Sequence, residues 1–502
     1  MKTFKISVLS KASALALGLS ISASFGVFPQ QAKAQQSPPQ VPETVESRIP
    51  VAEFVKQPNM GRVKISPDAT KLAYVAGRDG REMLVVLDLE TMQELPILAA
   101  NEARESGDRT MSEYRWIGND HVVATVISRE NLYGQLADFR RLVAFDVKTR
   151  QSIPQAWRDA GGDAGAILHI DHDKGKYLLQ RDSVANSTER WGFPEVVEVD
   201  VSTGKFEMVQ RTNPVVRAWA ADSDGEIRAG FNSNPDDGKF RMLYKADGER
   251  NFKTVYNEAD ETWVGSVPTP ELFIPGTDMA YTISNHDGVD KVYKMNMKTM
   301  EIVETAFETE GFDVQGIIPS KDDSKLVGVR TFDGTMRLVW TNENLKTVQT
   351  ILDETFGQDK ATIVDWSNDF MTQVIYVGGV ERNGGYYLYD LKSGKFRLLN
   401  WDRTALKDAP LNPVKAEWYT ASDGTKIQAV VTYPRHRVGE KNLPVIVMPH
   451  GGPFGALSAT NSTEPWNQPL AEQGYVVIQP NYRGSGGYGK EFVKIGRQPG
   501  GY

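Results

Sequence analysis

The residues best suited to chemistry are a glycine-rich tetrapeptide, His450-Gly451-Gly452-Pro453, which follows an apolar run at residues 443–448. Two adjacent glycines let the main chain turn sharply and bring an amide N–H close to a ligand. Acyl transfer needs such a donor, because N–H groups stabilise the tetrahedral oxyanion. We predict that the Gly452 N–H is an oxyanion donor and that His450, Gly451 and Pro453 shape its loop. The alternative is a plain glycine turn in which His450 only hydrogen-bonds the backbone.

A second segment, residues 481–489, follows another apolar run and holds two tyrosines, an arginine and four glycines. We expect Arg483 to anchor this loop through carboxylate or carbonyl contacts, with Tyr482 and Gly484 as structural support. Ser485 is a tempting nucleophile, but its neighbours lack the G-x-S-x-G pattern of a nucleophile elbow. The preferred interpretation is that Ser485 is not the nucleophile.

No serine in the 502 residues lies in a G-x-S-x-G pattern, and no Asp and His follow the 481–489 segment. The other histidine in this part, His436, precedes the first apolar run, where a triad base is not expected. We therefore expect a serine nucleophile to lie beyond Tyr502, and we expect the chain as given to be catalytically inactive.

A histidine- and aspartate-rich run at residues 169–173 could hold a metal ion. The run also repeats a pattern of turn followed by strand that occurs at Ser66-Pro67-Asp68. We favour the turn, with a metal site as the alternative. No metal and no cofactor are expected.

A weak sequence repeat over residues 51–399 precedes the two glycine-rich segments. Each unit has a polar turn and short β-rich strands, one of which ends near an Asp or Asn. The seven corresponding positions are Asp88, Asp146, Asp200, Lys245, Asn296, Thr341 and Asp390, of which two are degenerate, with Lys and Thr at the position itself. Their mean spacing of about 50 residues predicts an all-β seven-bladed β-propeller of four-stranded blades. A β-sandwich, or a pair of them, is the alternative.

After residue 402 the pattern changes to strand, helix, strand, which indicates an α/β domain. The apolar runs predict strands buried on both faces, and an Asp423-Gly424 pair predicts a hairpin turn. A short helix is predicted at residues 466–473. The predicted divisions are a signal peptide at 1–34, a flexible lead-in at 35–50, a propeller at 51–402 and the N-terminal part of an α/β-hydrolase domain, incomplete, at 403–502.

The first 34 residues resemble an export signal, with a basic start, an apolar stretch and an Ala32-Lys33-Ala34 cleavage site. An N-terminal membrane anchor is the alternative. The formal net charge is −8 without basic clusters, which argues against binding to nucleic acid or an anionic membrane. The chain has no cysteine, which excludes disulfides, thiolate metal sites and a Cys nucleophile. We expect a periplasmic or secreted protein.

With a propeller followed by these two glycine-rich motifs, the chain resembles the prolyl oligopeptidase family of serine peptidases. The His450-Gly451-Gly452-Pro453 form is most similar to the acylaminoacyl-peptidase-like branch. The resemblance implies a propeller that caps an α/β-hydrolase domain and admits short peptides. It also implies triad residues in the order Ser, Asp, His, downstream of the 481–489 segment. The dipeptidyl-peptidase branch uses an adjacent Glu pair, and no Glu-Glu pair occurs here, so dipeptide release is disfavoured.

Three functions remain open from the sequence. The first is an exported serine peptidase that hydrolyses oligopeptides through an acyl-enzyme. The second is a non-catalytic propeller module that binds a peptide or protein, and the third is an esterase of the same fold.

Overall fold

The structure, a computed structural model, describes residues 48–78, 80–100, 108–132, 134–182, 193–234, 239–259, 267–452, 454–462 and 465–496. The predicted signal peptide, most of the lead-in and Pro453 lie outside these residues. All described residues fall within one compact unit. Among them, no helix combines the length and apolar character needed to cross a bilayer.

Seven consecutive antiparallel sheets occupy the described residues up to Trp401, after a short helix α1 (Val51–Val55). The first three sheets are β1 (Gly61–Ile65), β2 (Lys71–Arg78), β3 (Arg81–Asp88) and β4 (Glu94–Ala100); β5 (Arg109–Ile117), β6 (His121–Leu132), β7 (Gln135–Asp146) and β8 (Gln151–Gln155); and β9 (Ala166–Asp171), β10 (Lys176–Arg181), β11 (Glu195–Asp200) and β12 (Phe206–Gln210). The next two are β13 (Ala218–Ala221), β14 (Ile227–Asn234), β15 (Lys239–Tyr244) and β16 (Lys253–Ala259); and β17 (Pro270–Phe273), β18 (Met279–Ser284), β19 (Lys291–Asn296) and β20 (Glu301–Phe307). The last two are β21 (Gly316–Pro319), β22 (Leu326–Phe332) and β23 (Met336–Trp340); and β24 (Ala361–Trp366), β25 (Thr372–Gly379), β26 (Arg382–Asp390) and β27 (Lys395–Trp401).

The repeated Asp or Asn ends the third strand of its sheet because its side chain caps the turn that follows. Asp88 Oδ1 accepts a hydrogen bond from the Thr91 N–H (2.8 Å), and Asp390 Oδ1 accepts one from the Ser393 N–H (2.6 Å). Such Asx turns give the chain a local reason to reverse. All seven predicted endings fall at the last residue of a third strand or one residue beyond it.

Buried apolar clusters join each sheet to the next along the chain, and another joins the seventh sheet to the first. In that closing cluster Val374 packs with Ile65, Tyr74 and Val85. The remaining clusters link successive sheets in the same way. Because every sheet lies between two others, its inner strands are buried on both faces. This ring of sheets is the architecture of a β-propeller.

The prediction of four-stranded blades is wrong for the sixth sheet, which has three strands among the described residues. Helix α2 (Glu343–Phe356) follows β23 instead of a fourth strand. Asn342 caps this helix by accepting hydrogen bonds from the Asn344 and Leu345 N–H groups. Its buried face, Leu345, Val348 and Leu352, packs between the sixth and seventh sheets.

A different sheet follows, with strand order β28-β29-β31-β30. Its elements are β28 (Val414–Thr420), β29 (Lys426–Thr432), β30 (Val445–Val447), α3 (Asn467–Glu472), β31 (Val476–Asn481) and the flanking α4 (Lys490–Ile495), with 3-10 turns at Thr404–Leu406 and Arg435–Arg437. Strands β30 and β31 are parallel, and helix α3 lies between them in sequence. The Asp423-Gly424 turn joins β28 to β29 as predicted.

The expectation that residues 443–448 form a strand buried on both faces is wrong. Strand β30 covers only three of these residues and lies at the edge of the sheet. Val445 and Val447 are 52% and 60% exposed. The reason is that, among the described residues, β30 pairs with β31 alone.

Candidate functional site

The glycine loop leaves the carboxyl end of β30, beside the carboxyl end of its parallel neighbour β31. His450 is 8% exposed at the start of the loop. Gly452 has φ 132°, a backbone conformation that residues with a side chain rarely adopt. Open space lies beside Gly451, where an added Cβ would meet nothing within 4 Å. The loop thus combines one enclosed histidine with a main chain that can approach a ligand.

Both ring nitrogens of His450 are hydrogen-bonded. Nδ1 lies 2.8 Å from the Gly451 carbonyl oxygen, and Nε2 lies 2.8 Å from Ser485 Oγ. A carbonyl oxygen can only accept, so Nδ1 carries the hydrogen, and in the neutral ring Nε2 accepts from the serine hydroxyl. The imidazole therefore braces the loop through both of its nitrogens.

Tyr482 holds the same histidine from a second direction. Its ring stacks on the imidazole with centroids 4.6 Å apart and planes inclined by 21°. Its hydroxyl donates to the His450 carbonyl oxygen at 2.8 Å. The two predicted glycine-rich segments are thus in direct contact, and Tyr482 contributes the structural support expected of it.

Ser485 has a base within hydrogen-bond reach, which is one requirement for a serine nucleophile. Its side chain, however, is fully buried, with 0% exposure. A substrate carbonyl cannot reach that oxygen in this conformation. The contact with His450 therefore joins the two loops and does not form an active dyad.

Arg483 contacts a carboxylate, that of Asp423 in the β28–β29 turn, at 2.5 Å. The guanidinium lowers the pKa of Asp423 to about 2. The Gly484 N–H donates to the Phe492 carbonyl oxygen at 3.1 Å, which ties the loop to helix α4. Arg483 thus holds the 481–489 segment against the β28–β29 turn of its own sheet, and Gly484 holds it against helix α4.

The sequence predicts no role for three residues that support the site: Asn481 and Tyr488, which lie in the 481–489 segment, and Asp313, which lies outside it. Asn481 is fully buried, and its amide bonds both main-chain groups of Ser458 and the Tyr488 hydroxyl. Asp313 belongs to the propeller and accepts hydrogen bonds from the Gly487 and Gly489 N–H groups. The sequence signal for Asn481 is a polar residue at the end of an apolar strand. No sequence pattern marks Asp313 as a residue of the site.

The histidine-rich run lies at the end of β9 and in the turn before β10. Asp171 accepts from the Lys174 N–H, and His172 Nδ1 accepts from the Gly118 N–H. Within the described ranges, no group of three His, Cys, Asp or Glu residues is arranged to hold a metal ion. The role of the Gly452 N–H as an oxyanion donor stays a prediction, and Pro453 lies outside the described residues.

Comparison with known proteins gives a consistent set of relatives. The sequence model of the prolyl oligopeptidase family matches residues 461–502. The chain is 23% identical to dipeptidyl aminopeptidase BIII of Pseudoxanthomonas mexicana, over 95% of this chain and 67% of that protein. It is 42% identical to a probable dipeptidyl-peptidase 5 of Aspergillus terreus over 79 residues, which are 16% of this chain and 11% of that one.

Solved structures agree on the fold. A prolyl endopeptidase matches with a TM-score of 0.59 and 15% identity, over 89% of this chain and 65% of the other. A puromycin-hydrolyzing peptidase of Mycobacterium tuberculosis matches with a TM-score of 0.57 and 16% identity, over 90% of this chain and 70% of the other. The chain thus spans about two thirds of the length of such relatives.

Proposed function

This chain belongs to the prolyl oligopeptidase family of peptidases, and we propose on that premise that the whole protein hydrolyses short peptides through a serine acyl-enzyme. The observation that carries the proposal is the braced loop at the end of β30. His450 is fixed by Ser485 and Tyr482, and the glycines that follow it present their main chain beside the carboxyl end of the sheet. That is where an oxyanion donor has to stand in a hydrolase of this architecture.

In the proposed reaction, a serine nucleophile attacks the peptide carbonyl, and the Gly452 N–H stabilises the oxyanion that develops. One such donor is worth roughly a hundred- to thousandfold in rate. By the family order of Ser, Asp and His, the triad follows the 481–489 segment, and no serine among these 502 residues has the G-x-S-x-G setting. Activity is therefore proposed for the whole protein.

We assign the ring of sheets as a seven-bladed propeller and residues 403–502 as the first part of an α/β-hydrolase domain. Seven sheets with a closing cluster between the last and the first support the blade number. The mixed sheet with its parallel β30–β31 pair supports the second assignment. In this proposal the propeller, which contacts the 481–489 segment through Asp313, acts as a cap that limits the size of the substrate.

Two substrate specificities are compatible with the proposed peptidase activity. The relatives named dipeptidyl aminopeptidase and dipeptidyl-peptidase favour release of dipeptides from a free N-terminus. The glycine-loop form and the lack of a Glu-Glu pair favour the acylaminoacyl-peptidase-like branch. Matched peptides with free and acetylated N-termini separate the two, because each enzyme class accepts only one form.

Export to the periplasm or beyond is also proposed, on the basic start and the Ala32-Lys33-Ala34 site. The mass of the protein from its native source tests this. A mature N-terminus at Gln35 supports cleavage, whereas a retained Met1 argues for an anchored or internal protein.

The decisive experiment is labelling of the whole native protein with a fluorophosphonate, followed by mapping of the tag and assay on peptides and acyl esters. A tag on a G-x-S-x-G serine together with peptide turnover supports the peptidase. Turnover of esters without peptides supports the esterase. An untagged native protein supports a non-catalytic binding module.

A further inference from the structure

One buried carboxylate of the propeller, that of Asp313, bonds two amides of the 484–489 loop, which is the C-terminal part of the 481–489 segment. Asp313 precedes β21 and is 6% exposed. Its Oδ2 accepts hydrogen bonds from the Gly487 and Gly489 N–H groups at 2.9 and 3.0 Å, and its Oδ1 accepts one from the Asp290 N–H at 2.9 Å. Within the described part of the chain, no Lys or Arg lies within ion-pair distance of it. Main-chain N–H groups therefore solvate this carboxylate, as in the anion-binding nests of loops.

The surrounding contacts show how closely the loop sits on the propeller. The Asp313 N–H donates to the Gly487 carbonyl oxygen at 3.0 Å, so the two segments are bonded in both directions. The Lys490 N–H donates to the Gly288 carbonyl oxygen at 2.9 Å. A Cβ added at Gly489 would lie 2.7 Å from that same carbonyl oxygen. The glycine is required here because the two main chains touch.

The opposite side of the same loop holds the candidate oxyanion loop. Ser485 bonds His450, and the Gly486 N–H donates to the Ala456 carbonyl oxygen at 3.0 Å. Gly486 is followed directly by Gly487, whose N–H is the first of the two amides bound by Asp313. A shift of the loop at the propeller would therefore be transmitted to the His450 contact within two residues.

We propose that Asp313 is a positioning residue that fixes the 484–489 loop and, through it, the His450–Gly452 segment, so that the catalytic rate depends on the docked propeller. The inference rests on the proposed function, because it concerns the same reaction. Asp313 is too buried to touch a substrate, so its effect is on the rate of the chemical step and not on substrate affinity. The propeller is thus part of the catalytic geometry as well as a cap.

The test compares Asp313→Asn with Asp222→Asn. Asp222 is a matched control because it is also a buried propeller carboxylate, 8% exposed, but is held by Arg228 in the fourth sheet. Asp313→Asn keeps the shape of the side chain and removes its negative charge. One carboxylate oxygen becomes an NH₂ group, which cannot accept a hydrogen bond. Two readouts are taken on the same samples: hydrogen exchange of the 484–490 amides, and kcat and KM of the whole protein.

The proposal expects exchange of the loop amides to rise about 10- to 100-fold in D313N, the factor given by losing a hydrogen bond to a charged acceptor. It expects kcat to fall by a similar factor while KM changes less than about twofold. D222N should change neither. If D313N folds poorly, Asp313→Ser, which keeps one acceptor in less volume, takes its place.

Unchanged hydrogen exchange of the loop amides in D313N overturns the proposal. Faster exchange with an unchanged kcat also overturns it, because the carboxylate would then hold the loop without affecting the reaction. A change shared by D222N also overturns it, because the effect would be general destabilisation. An unmodified protein without peptidase activity refutes the proposed function instead, and the exchange arm still decides whether Asp313 fixes the loop.

Discussion

The imidazole of His450 and the hydroxyl of Ser485 lie 2.8 Å apart although 35 residues separate them in sequence. This contact joins the ends of two parallel neighbouring strands, β30 and β31. It also explains why a histidine precedes the glycines: an aliphatic residue there could not bond both the loop and its neighbour. The oxyanion-donor role proposed for the glycines therefore depends on Ser485 through its hydrogen bond to His450.

Replacing Ser485 by alanine should reduce stability without abolishing activity. The change leaves His450 Nε2 buried without its partner, which costs about 1–3 kcal/mol in the free energy of unfolding. Denaturant unfolding measures this cost. Fluorophosphonate labelling of the whole protein shows whether a reactive serine is still present in the S485A variant. Complete loss of labelling in a folded S485A protein would show that Ser485 is the nucleophile after all.

Gly486→Ala should force the two glycine-rich loops apart. An added Cβ would lie 2.7 Å from the Gly455 carbonyl oxygen, closer than real Cβ contacts come. We expect a loss of about 1–3 kcal/mol in the free energy of unfolding, as for other overpacked sites. Gly162→Ala is the control, because nothing lies within 4 Å of its added Cβ. Equal melting temperatures for G486A and G162A would contradict the observed approach of the loops.

Glu472→Gln should be strongly destabilising. This fully buried carboxylate accepts from Arg435 (2.9 Å), the Ile49 N–H (3.0 Å) and Asn412 Nδ2 (3.1 Å). Neutralising it removes the charge that balances Arg435 in a buried site, which costs about 3–5 kcal/mol. Glu440→Gln is the matched control, since Glu440 is 42% exposed in its pair with Arg437 and should change stability by less than about 1 kcal/mol. Urea midpoints of the two variants should therefore differ clearly; similar midpoints would contradict a buried ion pair.

Asp323 and His172 line a cavity of about 270 Å³ formed by inner strands of the propeller, and they should respond to pH with opposite signs. Burial raises the pKa of Asp323 to about 6. Its contribution to stability is complete below its usual 3.8 and is lost as the pH rises through 6. Asp323→Asn should therefore stabilise the protein at pH 7, on the order of 1–2 kcal/mol, and leave it unchanged near pH 3.5. A destabilised D323N at pH 7 would contradict this.

His172 shows the reverse dependence. Burial, with the nearby Lys321 charge, lowers the pKa of His172 to about 4. The folded state keeps this ring neutral, so its contribution is complete above its usual 6.5 and is lost as the pH falls through 4. His172→Gln should flatten the stability profile between pH 6.5 and 4. Thermal melts across that range give the slope, and a wild-type slope in H172Q would remove His172 as its source.

Local chemistry explains which parts of the fold were predictable. The strand ends at Asp88 and Asp390 could be located because an Asx side chain caps its own turn. Helix α2 was missed, although the Asn342 cap and the spacing of Leu345, Val348 and Leu352 were present in the sequence. The regular repeat favours a fourth strand there, whereas the apolar face of the helix packs with residues of the sixth and seventh sheets.

Contacts between distant segments explain what could not be predicted at the site. Asp313 and Gly487 are 174 residues apart, so no spacing in the sequence relates them. The second glycine-rich segment was recognised from its composition, but the reason for its glycines is tertiary. Gly486 approaches the neighbouring loop, and Gly487 and Gly489 approach the propeller.

The aspartates that end the third strands also set a limit on acid tolerance. Asp88, Asp146, Asp200 and Asp390 each have a pKa below the usual value, because turn N–H and hydroxyl groups bond the ionised form. Their contribution is present above that usual value and disappears as the pH falls below it. The four belong to the first three sheets and the seventh, which are neighbours around the closed ring. Protonation would thus weaken one continuous arc of the ring, opposite the fifth and sixth sheets on which the 484–489 loop rests.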